Sequence, residues 1–249
     1  MQKTILITGA TAGIGLATAE VFAEQGHRLI ITGRRAERLE ALAEKLNVDC
    51  YSLAFDIRDL DAVKTAVASL PAEWREIDIL VNNAGLAVGL SPIQSGVVDD
   101  WERMIDTNVK GLLYITREIA PMMIERGMGG HIINVASIAG KEVYPNGNVY
   151  CASKHAADAL SKAMRIDLLP HKIKVTNVAP GLVETEFSVV RFKGDQDRAD
   201  QVYQGIEPLT GKDIADVIAY VASTPAHVTI NDIVVMPTAQ AASTVIFRE

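Results

Sequence analysis

The stretch Thr4-Ile5-Leu6-Ile7-Thr8-Gly9-Ala10-Thr11-Ala12-Gly13-Ile14-Gly15 predicts a strand, a tight turn and the start of a helix. Its first four residues form a short apolar run, which is typical of a strand covered on both faces. The three glycines permit a tight turn and a close approach of the backbone to a ligand, and the N-terminus of the following helix offers free N–H groups. This arrangement favours binding of a pyrophosphate; the alternative is that the glycines only tighten the junction between strand and helix.

Strand and helix patterns alternate along the rest of the chain. Apolar runs predict strands at residues 4–7, 28–32, 49–55, 79–81, 131–135, 174–177 and 233–236, and helical periodicity covers 13–25, 35–46, 59–69, 98–126, 149–169 and 211–223. This alternation predicts an α/β fold, a parallel sheet flanked by helices on both faces. No linker marks a second domain, so residues 1–249 are interpreted as one domain. The least regular stretch, 182–210, is either a mobile lid over a site or a surface excursion.

Composition and charge exclude several classes of protein. The formal net charge is −7, so no basic surplus exists to neutralise nucleic acid. The two cysteines and five histidines follow no metal-ligand spacing; no metal is expected, and a reducing compartment, the cytoplasm, is predicted. No signal-peptide pattern and no apolar run of about 18 residues is found, so no membrane partner is expected.

The second predicted strand ends in Thr32-Gly33-Arg34-Arg35, where NAD-binding proteins carry an acidic residue for the ribose 2′-hydroxyl. Two guanidinium groups make charge-assisted hydrogen bonds to a phosphate, so this end of the strand favours NADP over NAD. The alternative is a solvated arginine pair at the start of a helix. Asp56, after the third strand, is interpreted as an adenine contact or a helix cap.

The stretch Val149-Tyr150-Cys151-Ala152-Ser153-Lys154 contains a candidate pair for proton transfer, Tyr150 and Lys154. Positions i and i+4 share one face of a helix, so a phenol and an ammonium lie side by side. The ammonium is expected to lower the pKa of Tyr150 towards neutrality. Ser137 lies upstream, where its hydroxyl is expected to hydrogen-bond a substrate oxygen. Alone, such a Tyr-x-x-x-Lys pair also occurs by chance on solvated helices.

These motifs together resemble the short-chain dehydrogenase/reductases over essentially the whole chain. The matches are Thr8-Gly9-x-x-x-Gly13-x-Gly15, Asn82-Asn83-Ala84-Gly85, Asn108, Ser137, Tyr150-x-x-x-Lys154 and Pro180-Gly181. The resemblance implies a single-domain, Rossmann-type, doubly wound parallel sheet and an NADP-dependent oxidoreductase. It implies that Tyr150 is the general acid/base, that Lys154 holds the nicotinamide ribose, that Ser137 orients the substrate oxygen and that Asn108 supports a water-linked proton relay. The residues implied to bind the cofactor are Gly9, Thr11, Gly13, Ile14, Gly15, Arg34, Arg35, Asp56, Ile57, Asn83, Ala84, Gly85, Tyr150, Lys154, Pro180, Gly181, Val183 and Thr185, the last through the carboxamide.

Within that family the chain looks like bacterial NADP-dependent 3-hydroxy acid (serine, allo-threonine) dehydrogenases, as in Gly147-Asn148-Val149-Tyr150 and Glu184-Thr185-Glu186-Phe187. The expected reaction is hydride transfer between NADP(H) and a small 3-hydroxy acid or its semialdehyde. Alternatives are reduction of sulfoacetaldehyde, of another carbonyl compound or of a 3-oxoacyl substrate. A non-enzymatic alternative is an NADPH-sensing regulator, against which the intact acid/base set argues.

The substrate pocket is predicted from Ser137, Tyr144, Tyr150 and Arg191. Arg191 is the cation expected to bind the substrate anion in a bidentate manner; the alternative is a surface pair with Asp195. The segment Lys141-Glu142-Val143-Tyr144 departs from the subgroup pattern, which leaves the accepted acid open. Wide apolar faces on 98–126 and 149–169, together with the resemblance, predict a homotetramer; the alternative is that both helices are buried within one chain.

Overall fold

A parallel sheet of seven strands forms the centre of the computed structural model, which describes residues 2–249. In chain order the strands are β1 (Thr4–Thr8), β2 (Arg28–Gly33), β3 (Cys50–Ala54), β4 (Ile79–Asn82), β5 (Gly130–Val135), β6 (Ile173–Pro180), β7 (Val183–Glu184), β8 (Leu209–Thr210) and β9 (Asp232–Val235). The large sheet has the order β3-β2-β1-β4-β5-β6-β9, and β7 and β8 form a separate parallel pair. Every described pairing within the large sheet is parallel.

Helices cover both faces of this sheet. They are α1 (Gly13–Glu24), α2 (Ala36–Lys45), α3 (Leu60–Ala68), α4 (Val98–Ile105), α5 (Leu112–Arg126), α6 (Asn148–Asp167), α7 (Glu186–Arg191), α8 (Gln196–Gln201) and α9 (Gly211–Ser223). Alternate residues of a strand point to opposite faces. In β1, Leu6 packs into the core beside α3, α5 and α6, whereas Ile5 and Ile7 pack into the core beside α1, α2 and α9. The predicted doubly wound α/β fold is confirmed.

Local capping sets several helix ends. The Asp59 carboxylate accepts hydrogen bonds from the backbone N–H groups of Asp61 and Ala62, and α3 begins there. Thr210 and Asp213 form a reciprocal capping box at the start of α9. The alternative reading of Asp56 as a helix cap is therefore wrong, because Asp59 occupies the cap and Asp56 lies in the preceding turn.

The segment 98–126 differs from the single α-helix predicted for it. Between α4 and α5 the chain makes a π-helical turn over Asp106–Gly111. A π turn accommodates one extra residue and breaks the 3.6-residue periodicity locally. Within it, the buried side chain of Asn108 hydrogen-bonds the backbone N–H and C=O of Leu86. The turn therefore fixes Asn108 against the loop that follows β4.

The stretch 182–210 is more regular than the sequence indicates. It contains β7, α7, α8 and β8, joined by short turns. Each of these elements has only two to six residues, which is too short to give a periodic pattern. This segment lies across the carboxyl edge of the sheet beside the loops after β1 and β4, where the strand order reverses and a crevice opens. Within residues 2–249, no helix combines the length and the apolar character that crossing a membrane requires.

Candidate active site

A cleft of about 500 Å³ runs along the carboxyl ends of the central strands. Nearly all residues predicted to bind cofactor or substrate line it, although they come from segments far apart in sequence. The one exception among them is Gly15, and the predicted relay residue Asn108 does not line the cleft either. The lining includes Gly9, Thr11, Gly13, Ile14, Arg34, Arg35, Asp56, Ile57, Asn83, Ala84, Gly85, Ser137, Tyr144, Tyr150, Lys154, Pro180, Gly181, Val183, Thr185 and Arg191.

The glycine-rich turn after β1 leaves its backbone open to the cleft. Gly9 has a φ of +67°, and a Cβ there would lie 3.0 Å from the Cα of Ala84. A Cβ on Gly15 would lie 2.4 Å from the carbonyl oxygen of Gly9, so only glycine fits. The helix α1 begins after Ala12, whose side chain caps no N–H group. The free N–H groups and the close backbone fit an anionic pyrophosphate.

The end of β2 forms a basic corner of the cleft. The Arg35 guanidinium donates a hydrogen bond of 2.8 Å to the Thr11 hydroxyl. The carboxylate of Glu186, at the start of α7, lies 3.2 Å from Arg38 and 3.6 Å from Arg35. These side chains are about half exposed, and the corner already accommodates one anionic group.

The carboxylate of Asp56 also lines the cleft and is bound by a neighbouring arginine. It accepts hydrogen bonds from the Arg58 guanidinium at 2.6–3.1 Å and from the Arg58 backbone N–H at 3.0 Å. The side-chain hydrogen bond of Arg58 lowers the pKa of Asp56 and outweighs its partial burial. The carboxylate therefore stays ionised; its contact with an adenine ring stays a prediction.

Tyr150 and Lys154 lie one turn apart on α6 and are both buried. The Lys154 ammonium donates a hydrogen bond of 3.0 Å to the carbonyl oxygen of Val135. Burial lowers the pKa of Lys154 to about 8. Burial also raises the pKa of Tyr150, and the hydrogen bond of Ser137 and the charge of Arg191 lower it only in part. The expectation that Lys154 brings the Tyr150 pKa towards neutrality is therefore wrong in this structure, because the loss of hydration outweighs the neighbouring charges.

Ser137 and Asn108 are held by the backbone around them. The Ser137 hydroxyl accepts a hydrogen bond of 3.1 Å from the N–H of Ala139 and lies 3.4 Å from the Pro180 carbonyl oxygen. The Asn108 amide also donates to the Ser153 hydroxyl on α6 at 2.9 Å. A Cβ on Gly85 would lie 3.2 Å from the Asn108 Oδ1 and 3.3 Å from the Lys154 Nζ. The absence of a side chain on Gly85 thus lets these two groups approach each other; a water-linked relay between them stays a prediction.

Arg191, at the end of α7, points into the cleft beside the phenol of Tyr150. Its guanidinium donates a hydrogen bond of 2.7 Å to the Tyr144 hydroxyl and lies 5.3 Å and 5.5 Å from the ring centroids of Tyr144 and Tyr150. Its Nε is buried and has no hydrogen-bond partner among the described residues. The alternative of a surface pair with Asp195 is wrong, because the Asp195 carboxylate caps α8 by accepting from the Arg198 N–H. An anion here would find a buried donor with unused capacity.

Thr185, immediately before α7, shares the cleft wall with the glycine-rich turn. Its side chain caps α7 by accepting from the Phe187 N–H at 3.2 Å. A Cβ on Gly13 would lie 3.2 Å from the Thr185 Cβ, so the two residues are in contact. The predicted hydrogen bond to a carboxamide would use the remaining capacity of this hydroxyl.

The sequence did not identify several residues of the cleft. Phe187 packs at 5.7 Å, centroid to centroid, against the Tyr150 ring. Thr107 places a buried hydroxyl at the wall that finds no hydrogen-bond partner in the part of the chain that the structure describes. Gln240 reaches the cleft from the segment after β9, where its side chain accepts from the Leu182 N–H at 2.9 Å. Phe187 lies in Glu184-Thr185-Glu186-Phe187, a stretch that resembles the 3-hydroxy acid dehydrogenases, but no sequence signal marks Gln240.

Comparison with known proteins agrees with this arrangement. The short chain dehydrogenase family model matches residues 3–196. The chain is 50% identical to NADP-dependent 3-hydroxy acid dehydrogenase YdfG of Salmonella typhi over 237 residues, 95% of both chains, and 47% identical to serine 3-dehydrogenase of Rhizobium radiobacter over the whole of both chains. The closed form of serine dehydrogenase complexed with NADP+ superposes with a TM-score of 0.94 at 47% identity over 99% of each chain. Serine dehydrogenase from Escherichia coli superposes with a TM-score of 0.84 at 44% identity over 96% of this chain and 99% of the other. The order of the motifs, the sheet topology and these full-length similarities agree, and the chain belongs to the short chain dehydrogenase family.

Proposed function

We propose that this protein is an NADP-dependent dehydrogenase of a small 3-hydroxy acid, interconverting the 3-hydroxyl with the corresponding carbonyl. This proposal rests on the Arg191 guanidinium beside the Tyr150 ring, whose buried Nε has no hydrogen-bond partner within residues 2–249. A cation next to the proton-handling phenol suits a substrate whose anionic group is only a few bonds from its reacting carbon. The relatives named 3-hydroxy acid and serine dehydrogenases support the same chemistry.

The cleft fits NADP at both of its ends. The glycine-rich turn and the uncapped start of α1 would hold the pyrophosphate, and Arg34 and Arg35 would hold the 2′-phosphate. Pro180, Gly181 and Thr185 would border the nicotinamide. When bound, the cofactor supplies or accepts the hydride, and the protein supplies the proton, the orientation and the exclusion of water.

Tyr150 would donate the proton to the carbonyl oxygen in reduction. Because burial raises its pKa, the phenol keeps its proton across neutral pH. Ser137 would hold the same oxygen through its hydroxyl and align it with the phenol. Lys154 would bind the nicotinamide ribose, and its low pKa allows it to return a proton towards Tyr150 through Asn108 and water.

The substrate anion would bind between α7 and the segment that carries Tyr144. Arg191 can offer two parallel donors to a carboxylate, a geometry that gives specificity as well as energy. Residues 182–210 would act as a lid, because α7 brings Arg191 and Phe187 over the cleft. A sulfonate is also an oxyanion that Arg191 can bind. An aldehyde that carries a sulfonate, such as sulfoacetaldehyde, is therefore the second candidate substrate.

The assembly is proposed to be a homotetramer acting in the cytoplasm. Most of the apolar stripe on α4 and α5 is buried within the monomer, but Leu113 of α5 is 39% exposed and Ile166 of α6 is 73% exposed. Apolar side chains exposed on these two helices are suited to a helix-to-helix contact between copies.

A substrate panel with purified protein tests the function. Oxidation of 3-hydroxy acids and reduction of semialdehydes would be followed by NADPH absorbance, with a neutral aldehyde of similar size as reference. Arg191→Met should raise the KM for the acids by roughly tenfold or more, since charge-assisted hydrogen bonds contribute about 1.5–3 kcal/mol, and should spare the neutral aldehyde.

Two further variants complete the design. Arg198→Met is the matched control, because Arg198 lies on the same segment but stacks on Phe192 at 4.5 Å outside the cleft. Tyr150→Phe should lose about 10²–10⁴ in rate while still binding NADPH. Full activity in Tyr150→Phe, or NADPH binding without turnover of any substrate in the panel, would contradict the proposal.

A further inference from the structure

A cluster of five polar side chains lies behind the cleft and plays no part in the proposed chemistry. The Lys141 cluster consists of Lys141, Asp158, Lys162, Asn177 and Asp232. The Lys141 ammonium bonds the Asp158 carboxylate at 2.5 Å and also the Asp232 carboxylate. Asn177 donates to both carboxylates, at 2.9 Å and 3.0 Å. None of the five side chains lines the cleft.

The cluster joins segments that carry the proposed catalytic groups. Lys141 belongs to the serine loop, defined as residues 137–144, which contains Ser137 and Tyr144. Asp158 lies on α6 one turn beyond Lys154, and Asp232 lies on the edge strand β9. The loop also rests directly on the helix, because a Cβ on Gly140 would lie 2.6 Å from the Lys154 carbonyl oxygen.

The electrostatics of the cluster favour one fixed arrangement. Partial burial disfavours the charged ammonium, but the hydrogen bonds and charges of Asp158 and Asp232 outweigh it and raise the pKa of Lys141. Burial likewise disfavours the Asp158 carboxylate, but the hydrogen bonds of Lys141 and Lys162 outweigh this cost and lower the pKa of Asp158. Lys141 is the only cation of the cluster that pairs with carboxylates on two different segments, Asp158 on α6 and Asp232 on β9, whereas Lys162 pairs with Asp158 from within α6. These ion pairs therefore hold the serine loop against α6.

We propose that Lys141 is a positioning residue, which fixes the serine loop against α6 and so sets the distance between the Ser137 and Tyr150 hydroxyl groups. The inference rests on the proposed roles of Ser137 and Tyr150. Both hydroxyls must reach one substrate oxygen, and a displacement of about 1 Å at a reacting group can cost on the order of 10² in rate. Lys141 touches neither substrate nor cofactor in this scheme and acts only through the loop.

Replacing the Lys141 ammonium by an apolar chain of similar length tests whether Lys141 aligns Ser137 with Tyr150. Lys141→Met should lower kcat at least about tenfold, while KM and the Kd for NADPH change by less than about threefold, because the misplacement affects alignment more than binding. Lys141→Arg should recover most of kcat, since it restores the charge and several donors. If Lys141→Met does not fold, Asp232→Asn tests the same link on the edge strand with its shape preserved, and it should lower kcat several-fold.

Lys162→Met is the matched control. Lys162 bonds the same Asp158 carboxylate at 2.7 Å but comes from α6 itself, so it connects no second segment and should leave kcat unchanged. An unchanged kcat in both Lys141→Met and Asp232→Asn, with Tyr150→Phe inactive, would overturn this inference alone. Parallel losses of kcat, NADPH affinity and unfolding temperature in Lys141→Met and Lys162→Met would assign the cluster a general structural role and also overturn it. An active Tyr150→Phe would instead overturn the proposed function.

Discussion

Lys154 should make the folded protein less stable, and replacing it should reveal by how much. Lys154 is only 6% exposed, and burial lowers the pKa of its ammonium from 10.5 to about 8. At pH 7 this difference corresponds to roughly 3 kcal/mol against folding. Lys154→Met removes that cost and also the hydrogen bond to Val135, which contributes about 1 kcal/mol. The variant should therefore be more stable by about 2 kcal/mol, or roughly 5 °C in Tm for a chain of this size.

The stability difference between Lys154→Met and the wild type should decrease as the pH rises. The unfolded chain binds a proton at Lys154 up to its ordinary pKa of 10.5, whereas the folded chain releases it near 8. Between these values the unfolded state holds more protons, so the stability of the wild type rises with pH relative to the variant. The stability advantage of Lys154→Met should be full at pH 7 and mostly gone at pH 10.

Thermal or urea unfolding of nucleotide-free protein, followed by circular dichroism at both pH values, measures this difference. Lys162→Met, an exposed lysine on the same helix, is the control and should change stability by at most about 1 kcal/mol. A variant that is no more stable than the wild type at pH 7 would refute the reasoning. An advantage that persists undiminished at pH 10 would show that improved packing, and not the buried charge, explains it.

Three other predictions concern the cofactor and the assembly. Arg34→Asp combined with Arg35→Ala should weaken NADPH binding at least about tenfold and leave NADH binding nearly unchanged in fluorescence titrations; equal changes for both cofactors would contradict the 2′-phosphate assignment. Gly15→Ala should lower both the Tm and NADPH affinity, because its Cβ would lie 2.4 Å from the Gly9 carbonyl oxygen; wild-type behaviour in both measurements would argue against a rigid turn. Light scattering should give about four times the 26.9 kDa of one chain, and Ile166→Asp should reduce that mass; a monomeric wild type at micromolar concentration would exclude the tetramer.

The sequence predicted the seven strands of the large sheet because each contains a run of apolar, often β-branched residues; the central strands are buried on both faces, whereas the edge strand β9 has alternating exposed residues. It did not predict β7 and β8, since two residues carry no periodicity. The sequence also did not predict the π turn at Asp106–Gly111. One extra residue turns the later apolar positions by about 100° around the helix, and in the sequence this change looks only like a wider apolar stripe. The contacts of Asn108 that accompany the turn come from a distant loop.

Residue types and their spacing predicted most residues of the candidate site, but they predicted the wrong direction for the pKa shift of Tyr150. The i, i+4 spacing places Lys154 beside Tyr150, and local reasoning then predicts a lowered phenol pKa. The structure buries both groups, and burial is a property of the whole fold that four residues cannot reveal. The orientation of Arg191 is similar: the sequence offered both a pocket role and a surface pair, and only the packing of α7 separated them.

The pairing of β7 with β8 makes the segment between them a closed excursion from the large sheet. Val183 lies opposite Leu209 and Glu184 opposite Thr210, so the chain leaves and returns at one place. Insertions, deletions or wholesale replacement between these two points would not alter the spacing of β6 and α9, and the added loop length would cost little entropy. If this segment binds the substrate as proposed, evolution or a designer can exchange it as a unit while the residues that serve hydride transfer stay in place, and one scaffold can then acquire new acids to oxidise.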